Sequence, residues 1–139
     1  MRVAVLFLLL LAPVVLAAEP PIKKGPPTLL ERVERDLKGE EKPFTLITHI
    51  YIRPGTEAEF ETDAAKAAKA SSADQGCLTY EFHRDAEKKG HYTLIERWSG
   101  PAALKAHLGK QHTKLIQDVF DELSTTPRTT EIFIPVGGK

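Results

Sequence analysis

The amino-acid sequence predicts an α+β domain with the ferredoxin-like order βαββαβ, and three observations lead to this fold class. Four segments between residues 43 and 137 have the alternation or the β-branched composition of strands. Two further segments carry apolar residues at helical spacing and follow the first and the third strand. This order corresponds to a four-stranded antiparallel sheet with both helices on one face.

Residues 1–18 precede this domain and have the layout of a cleaved secretory signal peptide. Arg2 is followed by an apolar run that Pro13 interrupts, and small residues follow at Ala17 and Ala18. A membrane anchor is the alternative, but the run is shorter than the about 20 apolar residues that a span requires. Cleavage would give a secreted or periplasmic protein with no remaining membrane attachment.

Residues 19–42 are predicted to form a linker that contains one short amphipathic helix. The stretch "EPPIKKGPP" is typical of an extended linker. Thr28 and Glu31 then have the spacing of a capping box. The apolar residues behind this cap share one helical face: Leu30, Val33 and Leu37. We expect the helix to dock on the domain or on a partner subunit.

The domain itself is assigned to residues 43–137, and its first strand is predicted over residues 44–53. This segment is rich in β-branched and aromatic residues and ends in a Pro-Gly turn. Leu46 and Ile50 fall on one face of the strand, and Ile47 and Tyr51 fall on the other. A strand that is apolar on both faces is covered on both faces.

The remaining elements follow from periodicity and turn residues. "TEAEFETDAAKAAKASSAD" is a helix with Thr56 as its candidate cap, and "QGCLTYEFHRD" and "HYTLIERWS" are alternating strands. "PAALKAHL" and "HTKLIQDVFDEL" form a second helix that breaks near Gly109, and "RTTEIFIPV" is the fourth strand. The later helical part has an apolar stripe, which we expect to face the core: Leu115, Ile116, Val119, Phe120 and Leu123.

Charge and cysteine content exclude several classes of protein. The chain has 19 basic and 19 acidic residues, and the basic ones are scattered. This balance gives no electrostatic reason to bind nucleic acid or an acidic membrane. Cys77 is the single cysteine, so no disulfide can form within the chain. We interpret Cys77 as a small buried apolar side chain rather than as a nucleophile or an intermolecular bridge.

Three stretches, "IYIRPGTEAEFE", "QGCLTYEFHRD" and "YTLIERWSGPAALKAHLGKQH", resemble the antibiotic biosynthesis monooxygenase (ABM) domain family. The resemblance runs from about residue 44 to residue 136. It implies a ferredoxin-like fold that dimerises into a dimeric α+β barrel, and it implies cofactor-free oxygenation of phenolic or quinol substrates. Relatives include haem-degrading enzymes, isomerases and proteins without assigned activity, so fold alone does not define the reaction.

Trp98 and Glu96 are the first candidate site residues. By resemblance, Trp98 occupies the tryptophan position that lines the family's pocket, and the alternative is a core-filling residue. Strand alternation places Glu96 on the same face. A buried carboxylate requires a partner or a proton. We therefore expect an ion pair with Arg53, Arg84 or a histidine, a position near the solvated end of the strand, or a catalytic acid–base role.

The candidate proton acceptors beside Glu96 are His107 and His112. His112 continues a helical stripe with Leu108 and Ile116 and is expected to point inward. The resemblance supports a histidine in this region but does not distinguish the two, and both are also interpretable as core residues. Three aromatic residues complete the candidate substrate-binding set with Trp98: Tyr80, which is also a candidate base, Phe82 and Tyr51.

No cofactor or metal is expected from the sequence. His107 and His112 are five residues apart, which is not the i, i+4 spacing of a helical zinc motif. The chain has no cysteine pair and no glycine-rich nucleotide loop. It also has no asparagine, so the mechanism of the haem-degrading relatives, which use one, does not carry over.

The sheet face that the helices leave open carries either Ile47, Tyr51 and Ile95 or the apolar residues of the opposite face, which predicts a homodimer that packs sheet against sheet. The functional hypothesis is an exported, cofactor-independent monooxygenase that acts on a small phenolic or quinol-type aromatic. The alternative is a non-catalytic dimeric module that binds a small ligand or responds to stress, with haem binding through one histidine as a third option.

Overall fold

The computed structural model describes residues 25–137, and the signal peptide predicted for residues 1–18 lies outside this range. In chain order the elements are α1 (Leu29–Asp36), β1 (Phe44–Tyr51), α2 (Glu57–Ser71), β2 (Cys77–Arg84), β3 (His91–Trp98), α3 (Pro101–Leu108), α4 (Gln111–Leu123) and β4 (Thr129–Phe133). Within residues 25–137, no helix has both the length and the apolar character needed to cross a membrane.

The four strands form one antiparallel sheet in the order β2-β3-β1-β4. The central strands pair in a register that places Leu46 opposite Glu96. The helices cover one face of this sheet, where the ring of Phe60 in α2 packs against Phe82 of β2 and Phe120 of α4. The predicted ferredoxin-like α+β fold is confirmed. The second helix is interrupted between α3 and α4, as expected from Gly109.

Alternation along the central strands creates two chemically different faces. The inner face, which the helices cover, carries Phe44, Leu46, Thr48 and Ile50 of β1 and Tyr92, Leu94, Glu96 and Trp98 of β3, all of which are buried. The outer face carries Thr45, Ile47, His49 and Tyr51 of β1 and Thr93, Ile95 and Arg97 of β3, and these residues are half-buried or exposed. The outer face is therefore uncovered in a single chain.

The short helix α1 packs into the same core as the sheet. Thr28 and Glu31 form the expected capping box, in which Glu31 N donates to Thr28 Oγ1 and Thr28 N donates to Glu31 Oε2. Val33 and Leu37 are fully buried in the core cluster. Arg32 Nη2 also donates to the Thr130 carbonyl at 2.8 Å. The helix therefore docks on its own domain rather than extending away from it.

Three local expectations were wrong. Leu115 is 56% exposed because the inner stripe of α4 consists of Thr113, Ile116, Phe120 and Leu123. The alternation predicted for β2 is incomplete, since a register shift separates Cys77 from Thr79 and leaves Leu78 50% exposed. Thr56 does not cap α2 with its side chain; its hydroxyl donates to the Arg53 carbonyl instead.

Candidate functional site

A cavity of about 250 Å³ lies between the inner face of the sheet and helices α1, α3 and α4. About half of its lining is apolar, from residues such as Leu94, Ile116 and Phe120, and the remainder is polar or charged. Three of the predicted site residues, Tyr80, Glu96 and His107, also line it. The fold therefore brings one carboxyl, one phenol and one imidazole from separate elements to a single interior space.

Glu96 enters this cavity from the middle of the sheet, between Leu46 on β1 and Tyr80 on β2. Its side chain is almost fully buried, and Trp98 Nε1 donates a hydrogen bond of 3.0 Å to Oε2. Burial raises the pKa of Glu96 to about 7, and the Trp98 hydrogen bond opposes this rise. A carboxyl with this pKa exchanges its proton near neutral pH.

The expected ion pair for Glu96 was wrong. Within residues 25–137, neither Arg53 nor Arg84 nor any histidine forms a salt bridge with Glu96. Arg84 instead pairs with Glu61 at 3.3 Å. Strand alternation explains how Glu96 comes to be buried, but it carries no information on which donor reaches the carboxylate.

Trp98 is fully buried and lies behind the cavity wall, where it contacts three of the lining residues. Besides its hydrogen bond to Glu96, its ring centroid lies 4.6 Å from that of His107. The Tyr80 ring packs edge-on against Trp98 at 6.5 Å. The geometry gives Trp98 the position of a support that orients Glu96 and His107.

Tyr80 lines the cavity as a neutral phenol. Burial and, to a lesser degree, the nearby Glu96 carboxyl raise the pKa of Tyr80 far above its ordinary value. A phenol that resists ionisation is a poor proton acceptor at neutral pH. Tyr80 can therefore donate a hydrogen bond to a bound molecule, but it is unsuited to act as a base.

His107 and His112 both bind Asp74, a residue that sequence reasoning did not single out. His107 Nδ1 and His112 Nε2 each lie 2.8 Å from the same oxygen, Asp74 Oδ2. Burial lowers the pKa of His107, and Asp74 opposes this effect. Burial also opposes ionisation of Asp74, but hydrogen bonds from the two histidines outweigh it, and the pKa of Asp74 lies below its ordinary value.

Asp74 was missed because it lies in the loop between α2 and β2, far from both histidines in sequence. His107 belongs to α3 and His112 to the first turn of α4. The break at Gly109 allows both rings to face one carboxylate although they do not share a helix face. No periodicity or motif in the sequence predicts that both histidines contact Asp74.

The other predicted site residues lie outside the cavity. His112 is partly exposed and lines a surface groove between α2 and α4. Phe82 lines a neighbouring pocket with Phe60 and Tyr92. Tyr51 lies on the outer face, 41% exposed and stacked on His91 at a centroid distance of 4.5 Å. Its assignment to the same pocket as Trp98 was wrong, because the two side chains point to opposite faces of the sheet.

Arg128, in the segment before β4, also lines the cavity and was not predicted. Its guanidinium lies 4.7 Å from the centroid of the Phe120 ring, and Nη1 donates to Asp121 Oδ1 at 3.0 Å. The side chain is partly exposed, so the cavity has one cationic, solvent-accessible boundary. An isolated arginine in a loop carries no sequence signal for this position.

The family of the chain follows from comparison with known proteins. Residues 43–119 match the family model "Antibiotic biosynthesis monooxygenase", and this segment is more than half of the 139-residue chain. It includes Asp74, Tyr80, Glu96 and the two histidines that contact Asp74. The chain belongs to the ABM family, and the resemblance seen in the sequence is confirmed.

The chain is also similar to one curated protein and to several solved structures. The chain is 25% identical over 69 residues to "Putative monooxygenase YcnE" of Bacillus subtilis (strain 168), which covers 50% of this chain and 73% of that protein. The structure of PA3566 from Pseudomonas aeruginosa is similar with a TM-score of 0.64 at 26% identity, over 69% of this chain and 96% of that one. Rv0793 from Mycobacterium tuberculosis has a TM-score of 0.65 at 24% identity, over 70% and 98%.

Proposed function

We propose that the protein is a cofactor-independent monooxygenase that oxidises a small phenolic or quinol-type aromatic in the interior cavity. The observation that supports this proposal most directly is the position of Glu96, a buried carboxyl with a pKa of about 7 that lines an interior cavity with both apolar and polar walls. The catalytic efficiency of a base is greatest when its pKa lies near the working pH. Family membership supports oxygenase chemistry, and the cavity supports an aromatic substrate.

The geometry favours Glu96 over the two histidines as the proton acceptor. Trp98 Nε1 donates a hydrogen bond to Glu96 Oε2, and within residues 25–137 no protein group donates to Oε1. His107 Nδ1 and His112 Nε2 are instead directed at Asp74. Glu96 can therefore receive a proton inside the cavity without first giving up another partner.

The reaction can be written with Glu96 as the only proton carrier. The Glu96 carboxylate takes the proton of the phenol, and the anion reacts with O₂ to form a ring C–O bond and a peroxide anion, which Glu96 reprotonates. Glu96 then removes the proton on that ring carbon while the O–O bond breaks, and the departing hydroxide takes this proton to form water. The balance is one phenol and one O₂ converted to one quinone and one water.

The cavity limits the size and polarity of the substrate. Its volume of about 250 Å³ lies just below the roughly 300–1,000 Å³ usual for ligand pockets. One or two fused rings therefore fit better than a polycyclic molecule. Tyr80 would donate a hydrogen bond to a substrate oxygen, and Arg128 would favour a polar or anionic substituent on the side open to solvent.

Oxygen uptake with a panel of benzene and naphthalene phenols and quinols tests this proposal. Glu96→Gln keeps an acceptor for Trp98 but removes the base, so uptake should fall by roughly 10²-fold or more. Asp85→Asn, on the outer side of the sheet, is the matched control and should leave uptake unchanged. Binding of a quinol without any uptake by the wild type would instead favour the non-catalytic ligand-binding module, and a Soret band in the purified protein would favour haem.

We also propose that the protein is exported and forms a homodimer through the outer face. The layout of residues 1–18 supports export, and the mass of the mature protein recovered from a periplasmic or culture fraction tests it. The half-buried Ile47 and Ile95, directly opposite each other in the sheet, support an interface on the outer face. Light scattering at micromolar concentration should give about twice the monomer mass.

A further inference from the structure

The Asp74–His107–His112 cluster is not used by the chemistry proposed for Glu96. It joins three segments: the loop after α2, the last turn of α3 and the first turn of α4. Its three candidate ligand atoms, one carboxylate oxygen and two imidazole nitrogens, all lie within 4.8 Å of one another. We propose that this cluster is a binding site for a divalent transition-metal ion, with zinc as the best match.

The donor set matches the chemistry of zinc. Zinc binds imidazole nitrogen and carboxylate oxygen at about 2.0–2.2 Å, and sites with three protein ligands keep a fourth position for water. Two histidines and one carboxylate also suit other borderline divalent ions, which follow the usual affinity order for such sites. A site made only of oxygen ligands would favour calcium or magnesium instead.

Binding the ion requires the nitrogen–oxygen distances to lengthen and the two histidine nitrogens, which lie within 4.8 Å of each other, to move closer. Ligand atoms around a tetrahedral zinc lie roughly 3.3 Å apart. Both nitrogen–oxygen distances are 2.8 Å, so Asp74 Oδ2 would move about half an ångström away from the two histidine nitrogens. The two nitrogens would move closer to each other. The ion would replace the two protons that the histidines now share with Asp74 Oδ2.

Burial and charge also fit a metal ion. The His107 side chain is 3% exposed, that of Asp74 11% and that of His112 25%, so the cluster is interior with one side accessible to solvent. The carboxylate of Asp74 supplies the negative charge, and within residues 25–137 its Oδ1 has no hydrogen-bond partner.

Thr113 is placed to support His107 as a ligand. Its hydroxyl donates to the His107 carbonyl at 2.7 Å and lies 3.3 Å from both ring nitrogens of His107. When Nδ1 binds the ion, the ring proton is on Nε2, and the imidazole would have to rotate toward Thr113 for Oγ1 to accept it. Ligating histidines in proteins regularly have such a partner for the second nitrogen.

The spacing argument against a metal does not apply to this arrangement. The i, i+4 rule holds for two histidines on one continuous helix, whereas His107 and His112 belong to different helices. The third ligand comes from a loop that precedes both in sequence. An ion bound here would tie the loop to α3 and α4, and its binding free energy would add to the stability of the fold.

The test uses tag-free mature protein that has been stripped with a chelator and then titrated with zinc. We expect one Zn²⁺ per chain by calorimetry, a higher melting temperature with zinc than without, and visible absorption of four-coordinate Co²⁺ when cobalt replaces zinc. No organic substrate is present, so the result is independent of oxygenase activity. A wild-type protein that takes up no stoichiometric metal and shows no cobalt spectrum would overturn the proposal.

Two variants distinguish metal ligation from hydrogen bonding. His112→Gln retains a donor for Asp74, and Asp74→Asn retains an acceptor for the histidines, but each removes one ligand of the ion. Each should weaken zinc binding at least about 100-fold, since even loss of an outer hydrogen-bond partner costs 10–100-fold. Wild-type zinc affinity in a folded His112→Gln protein would contradict the proposed site.

The matched controls address the other nitrogen and sulfur donors. His83→Ala removes an exposed histidine that contacts Glu81, and His49→Ala removes one from the outer face; both should bind zinc as the wild type does. Cys77→Ala should do the same, because the thiol does not belong to the cluster. If one of these controls abolishes binding, the ion is held elsewhere. If His112→Gln does not fold, Asp74→Asn and the cobalt spectrum of the wild type still decide the question.

Discussion

Glu96 and Asp85 are two carboxyls that each receive a hydrogen bond from one ring N–H, yet their pKa values are shifted in opposite directions from the ordinary values. Glu96, on the inner face, accepts from Trp98 Nε1, and burial raises its pKa to about 7. Asp85, in the turn that leads to the outer face, interacts with His91 at 2.8 Å. That hydrogen bond, with further donors from the backbone of Glu87 and Lys88, lowers the pKa of Asp85 to about 2.

The difference shows that one ring donor does not set the acidity of a carboxyl. Asp85 has several donors and contact with water, so its ionised form is well stabilised. Glu96 has one donor and a low-dielectric surrounding, so its ionised form is disfavoured. Strand β3 therefore lies between an interior where a carboxylate is destabilised and a polar network where one is stabilised.

The largest effect is expected on the outer face, if it is the dimer interface. Ile47→Arg combined with Ile95→Arg places two charges on directly opposed positions of that face. Hot-spot residues at the centre of an interface contribute about 2 kcal/mol or more each, so the pair should weaken association by at least roughly 10³-fold. Sedimentation over a concentration series measures this change. Leu115→Arg, on the exposed side of α4, is the control, and dissociation of that variant would contradict an outer-face interface.

The next effect concerns the cost of ionising Glu96 inside the fold. The pKa of Glu96 rises from 4.5 to about 7 on folding, so the folded state binds the proton more tightly than the unfolded state. This stabilisation is complete below about pH 4.5 and is lost as the pH rises to about 7, a change of about 3 kcal/mol.

Urea unfolding at pH 5 and pH 8 measures this contribution. Glu96→Gln should lack it and should exceed the wild type in stability at pH 8. Asp85→Asn should not reproduce this gain, because the pKa of Asp85 is lowered and its ionised form stabilises the fold above its pKa. Equal pH dependence in wild type and Glu96→Gln would show that Glu96 is ionised in the fold without a penalty.

The smallest effect is expected from the ring donor to Glu96. Trp98→Phe keeps an aromatic ring but removes the hydrogen bond to Oε2. Hydrogen bonds to charged groups contribute about 1.5–3 kcal/mol, so the pKa of Glu96 should rise further by about one unit. Activity requires ionised Glu96 under the proposed mechanism, so the rising limb of the pH–rate profile should move to higher pH by the same amount. An unmoved profile would assign the proton transfer to another group.

Local patterns in the sequence were sufficient for the elements and for part of the site. The capping-box spacing of Thr28 and Glu31 predicted the start of α1, and the proline and glycine residues predicted most of the turns. Alternation along β3 correctly placed Glu96 and Trp98 on one buried face. These properties depend on neighbours within a few residues, and therefore they can be predicted from the sequence alone.

Contacts between distant segments were decided only by the tertiary structure. Asp74 meets His107 and His112 because the loop after α2 ends beside the break between α3 and α4. Glu96 binds Trp98 rather than an arginine because the inner face directs the indole nitrogen toward the carboxylate. The sequence by itself determined which residues are apolar, helical or extended, since these depend on local sterics and hydrophobic periodicity. The partners of the buried ionisable groups, and hence their acidity, depend on distances across the fold that no local pattern contains.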